Sequence, residues 1–213
     1  MFRAKTGTIL LALTAICLVA VIGCDEDDEN TLDVERTASS YRSEGWELFG
    51  QGRIDDAIIP FNMAVTREPQ DPRAYNGLGW CWANKGVLES GRENFEKAIL
   101  FGLETADPHA GLAICLRDLQ PLDHTGVIES CRTALDISPE YRMSHDSSID
   151  WRDLRLVLAQ IRFDLGEYDE VNVQIGLMGG NQVAVPAEAG PDRQAALSAL
   201  ALEIQALGEL YAE

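Results

Sequence analysis

Residues 75–82 read Tyr75-Asn76-Gly77-Leu78-Gly79-Trp80-Cys81-Trp82, and residues 52–57 read Gly52-Arg53-Ile54-Asp55-Asp56-Ala57. A shift of 34 residues lays this part of the chain on a second copy of itself. Gly52, Phe61 and Ala64 map onto Gly86, Phe95 and Ala98, while Tyr41, Gly45 and Leu48 map onto Tyr75, Gly79 and Trp82. A fixed period of this length marks supersecondary units that bury their apolar faces only by stacking on one another. The residue types fit that reading. Two antiparallel helices pack closely only where small side chains meet, as Gly45, Gly79 and Ala113 would in first helices and Ala57 and Gly91 in second ones. Phe61 and Phe95 are then placed to fill the seam toward the next hairpin. Asp71-Pro72 and Asp107-Pro108 read as helix starts, an N-cap acid followed by proline at the first helical position, with Pro69 ending the helix before.

Tyr75-x-x-Leu78-Gly79-x-x-Trp82 resembles the first-helix signature of the tetratricopeptide repeat, and Ala57-x-x-x-Phe61-x-x-Ala64 with Pro69 resembles its second helix and stop. The resemblance implies an all-α fold, a right-handed superhelical solenoid of about four helical hairpins closed by a C-terminal capping helix. The units fall at about 38–71, 72–105, 106–139 and 152–178. In the third, Leu112, Ala113 and Leu116 mark one helix and Val127, Cys131, Ala134 and Pro139 the other. The interval from Ala98 to Ala134 is 36, so the loop around Pro121 is about two residues longer than the motif. In the fourth, Leu158, Ala159 and Phe163 precede Leu165-Gly166-Glu167-Tyr168-Asp169, with Val171, Ile175 and Met178 behind. Val171 in place of the usual alanine implies looser packing.

Between these units lie residues 140–151, with His145-Asp146 and the N-cap candidate Asp150, expected as a local spacer, with a functional loop as the alternative. Residues 179–190, with Gly179, Gly180, Pro186 and Gly190, read as a flexible break. Pro191 then opens a last helix, 191–213, whose Leu197, Leu200, Ile204, Leu207 and Tyr211 form one apolar face. A polar outer side is expected of it, as on the helix that closes a solenoid. Its one basic residue, Arg193, argues against a membrane-surface helix.

The first 23 residues read as a signal peptide. Arg3 and Lys5 precede an apolar run over 9–22, interrupted only by Thr14. Fourteen residues at about 1.5 Å each are too short for a hydrocarbon core that needs about 20, but suit a secretory signal. Val21-Ile22-Gly23-Cys24 resembles the lipobox of bacterial lipoproteins, which implies cleavage before Cys24, a thioether-linked diacylglycerol on its sulfur and usually a further acyl chain such as palmitate on its amine. Two or more chains anchor firmly where one does so only marginally. Asp25-Glu26-Asp27-Asp28-Glu29 follows, so residues 24–37 read as an acidic, solvated tether. The expected location is the bacterial cell envelope, on the periplasmic face or the cell surface.

The net charge is −18, and without Arg3 and Lys5 the 17 basic residues fall to 15 against 35 acidic ones, a net of −20. Such a surface repels phosphate backbones, so no nucleic acid is expected as a partner. Beyond Cys17 and Cys24, the body holds Cys81, Cys115 and Cys131 without C-x-x-C spacing, which speaks against zinc. Buried free thiols are favoured over a Cys115–Cys131 bridge, which would need sulfurs facing straight across a seam about 8–10 Å wide.

No H-E-x-x-H, G-x-S-x-G or phosphate-binding glycine loop occurs, and His109, His124 and His145 are widely spaced. No enzyme, cofactor, metal or small-molecule substrate is therefore expected. In the repeat family the first helices line a concave groove that grips peptides or partner helices. Carried over by position, the resemblance implies a groove of Arg42, Trp46 and Phe49, then Arg73, Asn76, Trp80 and Asn84, then Ile114 and Arg117. Trp46 and Trp80, 34 apart, are either ligand anchors or inter-helix packing. The arginines would supply local positive charge. The asparagine–lysine clamp of carboxylate-binding relatives is not reproduced, since Arg42 and Trp46 stand where it would begin. The expected function is a lipid-anchored scaffold or adaptor for an unidentified protein. An escort factor resembling pilotins, for an envelope secretion or export complex, is the alternative, and an enzyme subunit a more distant one.

Overall fold

A computed structural model describes residues 36–211. The signal segment 1–23, Cys24 and nearly all of the tether 24–37 lie outside the described residues. These fold into α1 (Ala38–Gly50), α2 (Ile54–Arg67), α3 (Pro72–Asn84), α4 (Leu88–Leu100), α5 (Ala106–Asp118), α6 (His124–Ile137), α7 (Trp151–Asp164), α8 (Tyr168–Leu177) and α9 (Pro191–Tyr211). The first eight pair into four hairpins.

Three hairpin turns share one structure with a local cause. Gly52, Gly86 and Gly166 have φ of 73°, 73° and 77°, a region that glycine enters without steric cost. Each donates its N–H back to the helix it ends, Gly52 to Phe49 O at 2.8 Å and Gly86 to Ala83 O at 2.9 Å, which caps orphan carbonyls. The third turn, residues 119–123, contains Pro121 instead and is longer, as the 36-residue interval requires.

Helix starts follow their caps. Thr37 Oγ1 accepts from Ser40 N at 3.1 Å, Asp71 from the amides of Arg73 and Ala74, and Asp123 from Gly126 N at 2.9 Å. Asp150 and Asp153 form a capping box at α7. The expectation for Asp107 is corrected. Helix α5 begins at Ala106 behind Thr105, which keeps it 34 residues from α3, and Asp107 lies in the first turn, where its carboxylate does not serve as the cap. Proline at position 108 does not mark the first helical residue. The opening amides of a helix have no intrahelical acceptor, so any of them can be a proline.

The repeat packs through two aromatic wedges. Phe61, fully buried, lies between Gly45 of α1 and Gly77 of α3, where added Cβ atoms would come within 2.8 and 2.3 Å of its ring. Phe95 is held in the same way between Gly79 and Gly111, at 2.7 and 2.2 Å. First helices touch their successors directly, α1 with α3, α3 with α5 and α5 with α7, and second helices do so far less. The first helices therefore line the inner side of the stack. Cys81, Cys115 and Cys131 are buried free thiols.

The C-terminal end departs from expectation twice. Residues 179–190 lack regular structure but are tied down. Val183 N donates to Asn172 Oδ1 at 2.7 Å, Asn172 Nδ2 donates back to Val183 O at 2.8 Å, and Asn181 N donates to Glu203 at 2.7 Å. Val183 and Val185 pack on Val171, Ile175 and the buried Leu200, Ile204 and Leu207 of α9. Apolar side chains thus offset the freedom its glycines confer. The outer side of α9 is also only partly polar, with Gln194, Ser198, Gln205 and Glu209 exposed beside an apolar stripe. Ala195, Ala199, Leu202, Ala206 and Leu210 are all exposed along it, the two leucines at 65% and 64%.

Candidate functional site

The inner face is already occupied. Residues 141–149 leave α6, cross the first helices and return to α7 as a narrow loop. Trp151 N donates to Tyr141 O at 2.8 Å and Met143 N to Ile149 O at 3.0 Å, around an antiparallel bridge of Arg142 with Asp150. Asp146 Oδ1 accepts from Ser148 N and Oγ at 3.0 and 2.6 Å and shapes the tip. Tyr141 and Met143 are 4% and 2% exposed and belong to the main core. A spacer is thus the wrong description of 140–151. The segment carries apolar side chains at alternate positions, and that pattern buries one side of an extended chain.

Its contacts are residues of the expected groove. The His145 ring lies flat on Trp46, centroids 4.0 Å apart and planes 8° apart. Trp46 also meets Phe49 and Phe61 edge-on. Asp146 and Ile149 lie over Phe49, Trp80, Ala83 and Ile114, and exposed Asn84 flanks His145 and Asp146. At the far end Asp107 gathers three donors. Its Oδ2 accepts from Asn76 Nδ2 at 2.6 Å and Trp80 Nε1 at 3.0 Å, and its Oδ1 from Tyr141 OH at 2.7 Å. Burial, with the Asp107 charge beside it, pushes the Tyr141 phenol well above its ordinary range, so it stays a donor. Burial holds His145 and His109 below the usual imidazole value.

These placements correct the expected groove. Phe49, Asn76 and Trp80 are buried, and the Trp80 ring stands edge-on to Phe95 at 5.2 Å, so this tryptophan packs helices together. Arg42 is half-buried and paired with Asp71 and Glu68, and Arg117 is held by neighbouring Asp118 at 2.6 Å. Neither offers open positive charge. Arg73 is exposed and forms no ion pair among the described residues. It borders an open cleft of about 460 Å³ with Trp46, Asp107, Tyr141, Arg142 and His145. Asp107 and Tyr141 were not anticipated. Asp107 is 34 residues from Arg73 and could have been found from the repeat register alone.

Among the described residues, no group of three or more His, Cys, Asp or Glu side chains is placed to hold a metal ion, and no helix is long and apolar enough to cross a membrane.

No family model matches the chain. Over 64 residues, 30% of its length, it is 33% identical to the Hsp70-Hsp90 organizing protein of Triticum aestivum and 53% identical to pre-mRNA-splicing factor prp1 of Schizosaccharomyces pombe. It spans only 11% and 6% of those proteins. Solved structures match more broadly. A thermophilic TPR protein of Thermus thermophilus aligns with a TM-score of 0.53 at 19% identity, over 82% of this chain and 90% of that one. YrrB, a TPR protein with an unusual peptide-binding site, gives 0.56 at 13% identity over 82% and 89%, and MamA 0.54 at 13% over 81% and 92%. The described chain therefore has the fold of the tetratricopeptide-repeat proteins.

Proposed function

We propose that this protein is a lipid-anchored scaffold of the bacterial cell envelope, which holds a segment of another protein along its inner face and catalyses no reaction. The cleft between Arg73 and the Trp46–His145 stack is the observation that carries the reading. It joins an open cation to a flat aromatic stack on an otherwise acidic molecule, which suits a partner segment with an acid beside an apolar or aromatic residue. The Val21-Ile22-Gly23-Cys24 sequence supports the anchor, and the acidic stretch after it supports a tether between membrane and repeat. A photocrosslinking side chain at Arg73 is expected to capture one discrete protein in living cells, and the same group at exposed Glu96 on the outer helix α4 is expected not to. Equal capture from both positions, or none from Arg73, defeats the docking reading. The anchor is tested separately. Cys24→Ala is expected to abolish metabolic incorporation of an alkyne-tagged palmitate and to release the protein from the membrane fraction. Unchanged labelling defeats it.

A further inference from the structure

The loop over the inner face is longer than the repeat needs. Elsewhere, four or five residues join one hairpin to the next, 68–71 and 101–105, but α6 and α7 are separated by 138–150. The surplus is folded along the first helices in the manner of a bound peptide. It is narrow and bridged, Tyr141 and Met143 point inward at alternate positions, and a tyrosine hydroxyl is seated on Asp107. The fit is incomplete. Asn76 is 5% exposed, its Nδ2 is bound to Asp107, and its Oδ1 finds no partner among the described residues. Asn76 lines the cleft, so an unsatisfied acceptor is buried beside the seat of the segment's Tyr141. A buried acceptor without a donor is costly, and a ligand that supplies one gains by that difference.

We propose that the inner face is a receptor for an extended polypeptide segment and that residues 141–149 are its resident occupant, which a partner segment must displace. The partner's chemistry follows from what the occupant provides and what it leaves undone. It presents a hydroxyl-bearing side chain to Asp107, an apolar side chain two residues later for the site now filled by Met143, and a main-chain N–H to Asn76 Oδ1. Phe61 and Phe95 hold the first three hairpins together, and the packing of α7 on α5 and α6 holds the fourth, when the segment swings out. The apparent affinity for a partner is then the intrinsic affinity multiplied by the open fraction, so loosening the segment tightens binding. This inference rests on the docking reading above.

The probe is a fluorescein-labelled synthetic peptide of residues 139–151, added in trans to the full chain and followed by anisotropy. Replacing 141–149 with a glycine–serine linker of equal length is expected to raise its affinity about tenfold or more over the intact chain. Adding Asp107→Ala in that background is expected to remove the gain. Met143→Ser, which loosens the segment without removing it, is expected to act in the same direction and decides the matter if circular dichroism shows the linker variant unfolded. Binding no tighter in the loosened variants than in the intact chain overturns the proposal, because the segment is then simply core. If the peptide fails while Arg73 still captures a partner, the cis-occupant inference alone falls. If the peptide binds while Arg73 captures nothing, only the docking of an outside partner falls.

Discussion

At Gly77 an added Cβ would stand 2.3 Å from Phe61 Cε1. The ring has no retreat, because Gly45 confines its other side at 2.8 Å and Phe61 is fully buried. Alanine there gains at most about 1 kcal/mol of helix propensity. Overpacking costs about 1–3 kcal/mol, so Gly77→Ala is expected to be net destabilising. Gly50 is the control. It is helical, and nothing lies within 4 Å of where its Cβ would be, so Gly50→Ala is expected to leave stability unchanged or raise it by up to about 1 kcal/mol. Urea melts of the two variants separate these outcomes, and equal midpoints would show that the wedge yields. Trp80 obeys the same logic. With Nε1 on Asp107 and its face inside the core, it serves helix packing more than partner contact.

At the scale of elements, the hairpins were legible because close packing leaves a strict periodic mark. Glycine must stand where a helix meets a phenylalanine ring or where the turn goes left-handed, and phenylalanine stands in the seam between the facing glycines. The inner-face loop left a fainter mark. Tyr141, Met143, Ile149 and Trp151 alternate along two short arms, but each arm is too brief for its period to stand out beside the long helical signal. Asp107 was misread for a different reason. An acid before a proline is a good N-cap in isolation, yet the tertiary register of α5 against α3 outweighed that local preference. Helix α9 was half legible. Its inner stripe of Leu200, Ile204 and Leu207 is buried, whereas Leu202 and Leu210 on the outer side carry no fold information. Leu200→Ala is accordingly expected to cost about 2–5 kcal/mol, and Leu202→Lys with Leu210→Lys to shift stability by no more than about 0.5 kcal/mol each. Urea midpoints of both variants test the assignment. A large loss from the lysine pair would show that the outer stripe is packed.

Across the whole molecule, titratable groups are buried in a way that ties stability to alkaline pH. Cys81, Cys115 and Cys131 lie in the second and third hairpins, and burial pushes each thiol from the ordinary 9.0 up to about 12. Tyr141, closing the groove, is shifted upward for the same reason, with the Asp107 charge adding to it. A group whose folded-state pKa lies above its unfolded value stabilises the fold fully below the unfolded value. That contribution is lost as pH rises, because the unfolded chain releases the proton first. The melting temperature is therefore expected to show no thiol-linked change up to about pH 8.5 and to fall steadily from about pH 9 toward 12. A second effect has the same sign. The chain carries −18 at neutral pH, and further ionisation increases self-repulsion in the compact state. Salt separates the two, since the Debye length falls from about 10 Å at 0.1 M to about 3 Å at 1 M, which weakens surface repulsion and leaves proton linkage at buried thiols in place. In 1 M salt with reductant, the fall above pH 9 is expected to persist in the native sequence. It is expected to be shallower when Cys81, Cys115 and Cys131 are all replaced by alanine, even though that variant starts from a lower melting temperature. Parallel pH profiles for the two proteins would mean that the thiols ionise as readily in the fold as out of it, and the packing assigned to the second and third hairpins would have to be wrong.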